Sequence, residues 1–164
     1  MAVQIKTNVG MALGDTILLV AACLVPAASH FFALPVYKLN PMLAFLLAGL
    51  LVGRRWGLMA VNGLTLAVLL PLVSMVVTGM PTAERMVCMM AEMAAVVALF
   101  LWLKDRWATL PAVLAAVLAG KVVYYAFKAV VLSPAVLMDT VWWVQLLAVA
   151  LWSGLFAVVY NRMK

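Results

Sequence analysis

The sequence predicts an all-α polytopic membrane protein: six transmembrane helices in one compact bundle, with both termini on the cytoplasmic side. Three observations predict it. Of the 164 residues, 70% are hydrophobic and 10% charged, with a mean hydropathy of +1.22, whereas a soluble domain is roughly half apolar and about a quarter charged. No water-soluble fold hides so much apolar surface. Second, the apolar residues fall into runs separated by short polar punctuation. A spanning helix takes about 20 residues, so a single membrane domain fills positions 1–164 and leaves no room for a soluble one. Third, the basic residues collect at alternate ends of those runs.

The runs are 11–32, 41–52, 58–77, 82–103, 107–132 and 140–160. Each is bounded by Pro, Gly or charge, which end helices by removing a donor, freeing the backbone or demanding water. The second is short for a span. Connections of a few residues make consecutive helices antiparallel neighbours. With an even number of spans, Lys6, Arg54, Arg55, Lys104, Arg106, Arg162 and Lys164 share one side. Lys38 and Arg85 stand near the loops of the other, with Lys128 about one helical turn inside. Lysine and arginine accumulate on the cytoplasmic side, which sets both termini there. A rival reading makes the first run a cleaved signal peptide, from Lys6, the apolar stretch 17–25 and the small residues Ala27, Ala28 and Ser29. Cleavage would put Arg54 and Arg55 outside, against the charge rule.

That topology explains the net charge of +6 and the pI of 9.7 better than nucleic acid does. Cys23 and Cys88 fall inside apolar runs and are read as packing residues rather than a disulfide or metal pair. Small residues recur four apart: Ala44 and Ala48, then Gly49 and Gly53, and later Ala112, Ala116 and Gly120. Such stripes let helix backbones approach closely in lipid. Packing within the chain is favoured over a subunit-docking face.

A charge within a bilayer is costly, so each one is a functional candidate until a structural role accounts for it. Asp15 begins the first run and Asp139 precedes the sixth, which places both near an interface, where a carboxylate suits a helix N-terminus. Glu92 and Lys121 differ: each lies about ten residues, or roughly 15 Å, from the outer end of its helix. On adjacent antiparallel helices they meet near the midplane, where an ion pair lets both stay charged. A structural pair and a ligand-contacting pair fit equally well. Lys121 and Lys128 are seven apart, as are Arg85 and Glu92, so each pair shares a helix face and the outer half is net basic. Lys128 can also snorkel to the headgroups.

Aromatics gather on the same side: Phe31, Phe32, Tyr37, Tyr124, Tyr125, Trp142 and Trp143. They form an interfacial belt or, some of them, a sandwich for a flat ring. His30 has no second ligand at metal spacing, so no metal or other cofactor is expected. Asn62 is expected to make an interhelical hydrogen bond. No phosphate loop, H-E-x-x-H, G-x-S-x-G or carboxylate cluster occurs, so an enzyme is not expected and transport could not be coupled to ATP by this chain alone.

The stretch KLNPMLAFLLAGLLVGRRWG at 38–57 resembles the second helix and inner turn of the S components of energy-coupling factor (ECF) transporters. Thr78-Gly79-Met80-Pro81, followed by Met89-Met90-Ala91-Glu92-Met93-Ala94, is similar to their third loop and fourth helix. The resemblance implies a small multi-pass subunit of the bacterial cytoplasmic membrane that captures a vitamin or related micronutrient from outside. Its implied partners are membrane lipid, one transmembrane T component and two ATPases. The family's substrate site lies on the outer side, between the first, third and fifth connections and helices four to six. Those regions here hold Asn40, Glu92, Lys121, Tyr125, Lys128 and Trp142. Family members often carry an Ala-x-x-x-Ala face on helix one; here the nearest match is Cys23 to Ala27, with Pro26 between. A second likeness, of size and layout only, is to the rod-shape membrane scaffold MreD. Against it, the third run carries Leu69-Leu70-Pro71 with no acidic residue, and the scaffold reading leaves Glu92 and Lys121 no task beyond stability.

Overall fold

The computed structural model describes residues 2–31, 40–78, 82–133, 135 and 142–163, with side chains for 9–25, 28, 40–76, 82–133, 135 and 143–163. The chain is all-helical: α1 (Ala2–Phe31), α2 (Pro41–Arg55), α3 (Met59–Thr78), α4 (Ala83–Leu103), α5 (Thr109–Val131) and α6 (Trp142–Arg162). Helix α1 begins at residue 2, not 11. Ahead of the apolar run, Gly10 packs against the Trp56 ring; an added Cβ would stand 2.5 Å from its Cζ2. Helix α2 runs three residues past its apolar stretch because Arg54 and Arg55 in the last turn face the negative end of the helix dipole.

Consecutive helices from α2 to α6 pack on one another, and α6 returns to α2, closing a ring; α1 lies outside against α2 and α3. Consecutive helices are antiparallel. Gly10 meets Trp56 and Gly14 meets Val52, Gly53 meets Met59, Gly63 meets Val97, and Thr109 at the start of α5 donates to Asn161 at the end of α6 (2.7 Å).

Among the described residues, four helices contain segments long and apolar enough to cross a membrane: Met59–Val76, Ala83–Leu103, Thr109–Val131 and Trp143–Arg162. The apolar part of α1 is the shorter Val9–Val25. The 15 residues of α2 reach only about 22 Å, short of the roughly 30 Å hydrocarbon layer. Its surroundings explain this. Helix α2 touches α1, α3 and α6 and buries Met42, Leu43, Leu46, Leu47 and Leu50, so other helices, more than lipid, supply its apolar environment. The outer surface points to a membrane protein. Val61, Leu64, Val68, Leu72 and Val76 form one exposed apolar stripe on α3, and Leu13, Ile17, Val20 and Leu24 another on α1. Contiguous apolar faces of this size are solvated by lipid, not by water.

At the bundle axis Phe100 is fully buried, edge-on to Phe156 (5.1 Å) and Tyr160 (5.7 Å). Most of the small-residue stripes are spent on internal packing. A Cβ at Gly53 would lie 2.8 Å from the Met59 Cα and from the Asn62 Cβ. One at Gly120 would overlap Val96 and stand 3.1 Å from the Glu92 carbonyl oxygen, while Ala112 and Ala116 are fully buried. Gly57 makes the α2–α3 turn at φ +73°, with nothing within 4 Å of a would-be Cβ. Gly57→Ala therefore meets only backbone strain, and thermal unfolding should register a loss of about 1–2 kcal/mol.

Asp15 lies at the middle of the lengthened α1, level with the α2–α3 turn: its neighbour Gly14 meets Val52, and Asp15 itself meets Asn62 near the start of α3. Asn62, 1% exposed, donates through Nδ2 to the Asp15 Oδ1 (3.0 Å) and to the Gly49 carbonyl (2.8 Å). This is the expected interhelical bond of Asn62, and it ties together α1, α2 and α3. Asn62→Leu would take this donor from the half-buried Asp15 carboxylate and from the Gly49 carbonyl. It should lower unfolding stability in detergent by about 1–3 kcal/mol, and a loss under half of that would show that water already serves both acceptors.

Candidate functional site

The site begins with the close approach of α4 and α5. Gly120 has no side chain, so α5 settles against Val96 and the Glu92 carbonyl, bringing the next residue, Lys121, level with Glu92. Their charged ends meet at 2.7 Å, with side chains 11% and 5% exposed. Two charges are stable at such burial only because each neutralises the other.

Asn40 completes the group. It caps α2 in the left-handed region (φ 50°, ψ 65°), which Asn tolerates, and Pro41 follows at the first helical position, where its missing N–H costs nothing. From there its Nδ2 lies 3.5 Å from Glu92 Oε1, a long hydrogen bond. Because α2 is short, its N-terminus stands at the level of Glu92, about 13 Å along α4 from that helix's first residue. The ion pair and Asn40 thus form a polar layer deep in the bundle, with the ends of α4 and α5 extending beyond it.

Along α5 from this layer come Tyr124, Tyr125 and Lys128. Tyr125 is buried and edge-on to Tyr124 at 5.1 Å. The Tyr124 ring has two ammonium groups near it, Lys121 Nζ and Lys128 Nζ both 5.5 Å from its centroid, within cation–π range. Lys128 also lies 5.9 Å from Tyr125, within electrostatic reach of Arg85 and Lys121. The ion pairs among the described residues are Lys104–Asp105 and Lys121–Glu92. Lys128 is held by aromatic rings rather than by a carboxylate.

Of the residues singled out in the sequence, Asn40, Glu92 and Lys121 touch, and Tyr125 and Lys128 continue the same wall. Trp142 is the first residue of α6; its side chain, like those of His30 and Phe31, lies outside the described residues. So do Phe32, Tyr37, Lys38, Asp139 and the stretch 79–81. Tyr124, one of the aromatics that the sequence leaves open between an interfacial belt and a ring sandwich, is the ring that joins the two lysines. The signal was the spacing 121, 124, 128, one helix face by i, i+3 and i+7.

The layer offers ammonium and amide donors, carboxylate acceptors and flat rings. Among the described residues no three His, Cys, Asp or Glu side chains converge on a metal position, and the free cysteines stay apart, Cys88 buried and Cys23 half-buried. No family model, curated protein or solved structure matches the chain. Its function therefore has to be argued from this site.

Proposed function

We propose that the chain is the substrate-capture subunit of an energy-coupling factor importer, an S component that takes a small anionic or heteroaromatic solute from the outer side of a bacterial cytoplasmic membrane. It crosses the membrane six times with both termini inside, and it works as a binding protein rather than an enzyme. The partners that would complete it are a T component and two ATPases.

The observation that carries this reading is the Asn40–Glu92–Lys121 layer, an ion pair at 2.7 Å in the middle of helices otherwise almost without charge. Such groups are expensive in lipid, and substrate or ion handling is a common reason to keep them there. The aromatic and basic wall of Tyr124, Tyr125 and Lys128 supports an anionic or ring-bearing ligand. The topology is supported by charge: the seven basic residues Lys6, Arg54, Arg55, Lys104, Arg106, Arg162 and Lys164 are at one set of ends. The test is a mass spectrum of small molecules released by heat from the purified protein. A solute present in the parent and absent from Lys128→Ala, a variant that leaves the buried ion pair alone, is the expected result. Identical spectra from both, matching the detergent blank, would remove the basis for solute capture.

A further inference from the structure

A second feature lies away from the ion pair, on the ring's outer side between α2 and α6. An open apolar groove of about 170 Å³ runs between Ala44, Ala48 and Leu51 of α2 and Trp152, Phe156 and Val159 of α6. Its volume is too small for a drug-sized solute, whose sites are about 300–1,000 Å³, but every residue that lines it is apolar. The small side chains Ala44 and Ala48 form the floor.

Both walls end on positive charge. Three or four residues beyond Leu51, the same face of α2 reaches Arg54 and Arg55; three beyond Val159, the same face of α6 reaches Arg162. Arg54 crosses between the walls and stacks on Tyr160, its Cζ 3.6 Å from the ring centroid. One of its nitrogens, Nη1, is buried without a hydrogen-bond partner. Neither α2 nor α6 contains an acidic residue. A guanidinium with an unanswered donor, at the charged end of an apolar slot, has the complement of one kind of molecule: a negative head on a hydrocarbon tail.

We infer that the α2–α6 groove is a binding site for an anionic phospholipid, with one acyl chain along Ala44 and Ala48 and its phosphate against Arg54 and Arg162. The charge at the groove's end selects the head, because each arginine near the headgroup plane favours an anionic lipid over a zwitterionic one about fivefold. A second transmembrane helix would use the alanine floor but leave the arginines unanswered.

The experiment is a native mass spectrum of the full chain extracted with dioleoylphosphatidylglycerol and dioleoylphosphatidylcholine in equal amounts. Retention of phosphatidylglycerol in preference is expected, with the preference falling about fivefold in Arg54→Gln and again in Arg162→Gln. Arg162 is exposed, so its exchange changes the headgroup contact without touching the core. Ala48→Phe fills the slot and should reduce phosphatidylglycerol retention while both arginines stay in place; added inorganic phosphate should displace nothing. Equal retention of the two lipids, or retention unchanged by Arg162→Gln and by Ala48→Phe, overturns the proposal. So does a dimer of the chain that Ala48→Phe dissociates while leaving phosphatidylglycerol bound, since the face would then belong to a helix.

Discussion

Lys121→Met is expected to destabilise the protein by about 3–5 kcal/mol, more than any other single exchange in the polar layer. The lost attraction is the smaller part. With Lys121 gone, the Glu92 carboxylate keeps its 5% exposure but has only Asn40, 3.5 Å away, to answer its charge. Combining Lys121→Met with Glu92→Leu removes both charges, and apolar groups of similar volume in place of a buried pair are often neutral or stabilising. The double variant should therefore unfold close to the parent. The two roles of the pair separate at that point. If the pair only holds α4 to α5, the double variant retains whatever solute the parent retains. If the pair also touches the solute, it folds and comes off the column empty. Thermal unfolding and the mass spectrum of released small molecules, run on the same three preparations, read both outcomes. A Lys121→Met variant as stable as the parent would mean that Glu92 does not depend on Lys121 for its place in the bundle, and the layer could not then serve as a charged recognition surface.

The α4–α5 pairing was legible because two long, uninterrupted helices with a short connection leave little freedom. Depth along each then follows from 1.5 Å per residue, and equal depth forces Glu92 onto Lys121. The start of α1 was less legible. The helix begins at residue 2, ahead of the apolar run, and there Gly10 packs on Trp56, 46 positions away in the sequence, where no local signal could show it. The small-residue stripes of α2 were visible but not separable. Gly49 and Gly53 face α3, whereas Ala44 and Ala48, on another side of the same helix, border an open groove. Only the closure of the ring by α6 against α2 decides which stripe is covered. The shortness of α2 was plain in the sequence. Its place among α1, α3 and α6, which lets a short helix sit in the bundle and sets Asn40 at the level of Glu92, depends on contacts between chain segments far apart.

Phe100→Ala supplies the other large effect and a control for the first. The ring is fully buried and meets Phe156 and Tyr160 edge-on at 5.1 and 5.7 Å, with Arg54 stacked on the far member of the trio. Removing it takes away the contact that joins α4 to α6 across the ring, for which no neighbouring side chain on α4 substitutes. The expected loss is about 3–5 kcal/mol, the range for Phe→Ala in a packed interior, and Phe100→Leu should recover more than half of it by filling most of the cavity. Phe100 lies two turns from Glu92 along α4, about 12 Å, so the Asn40–Glu92–Lys121 layer should remain intact in the molecules that stay folded. Below its unfolding temperature Phe100→Ala should therefore carry the same solute as the parent, at the same occupancy per folded molecule. Comparable instability in Phe100→Ala and Lys121→Met, with solute lost only from the second, would show that the ion pair recognises the ligand and does not merely keep the bundle closed. Solute lost from both in proportion to stability would reduce the pair to a structural clamp. A loss under about 1 kcal/mol for Phe100→Ala would contradict the aromatic trio itself, because a ring that leaves so small a cost behind cannot be wedged between two others.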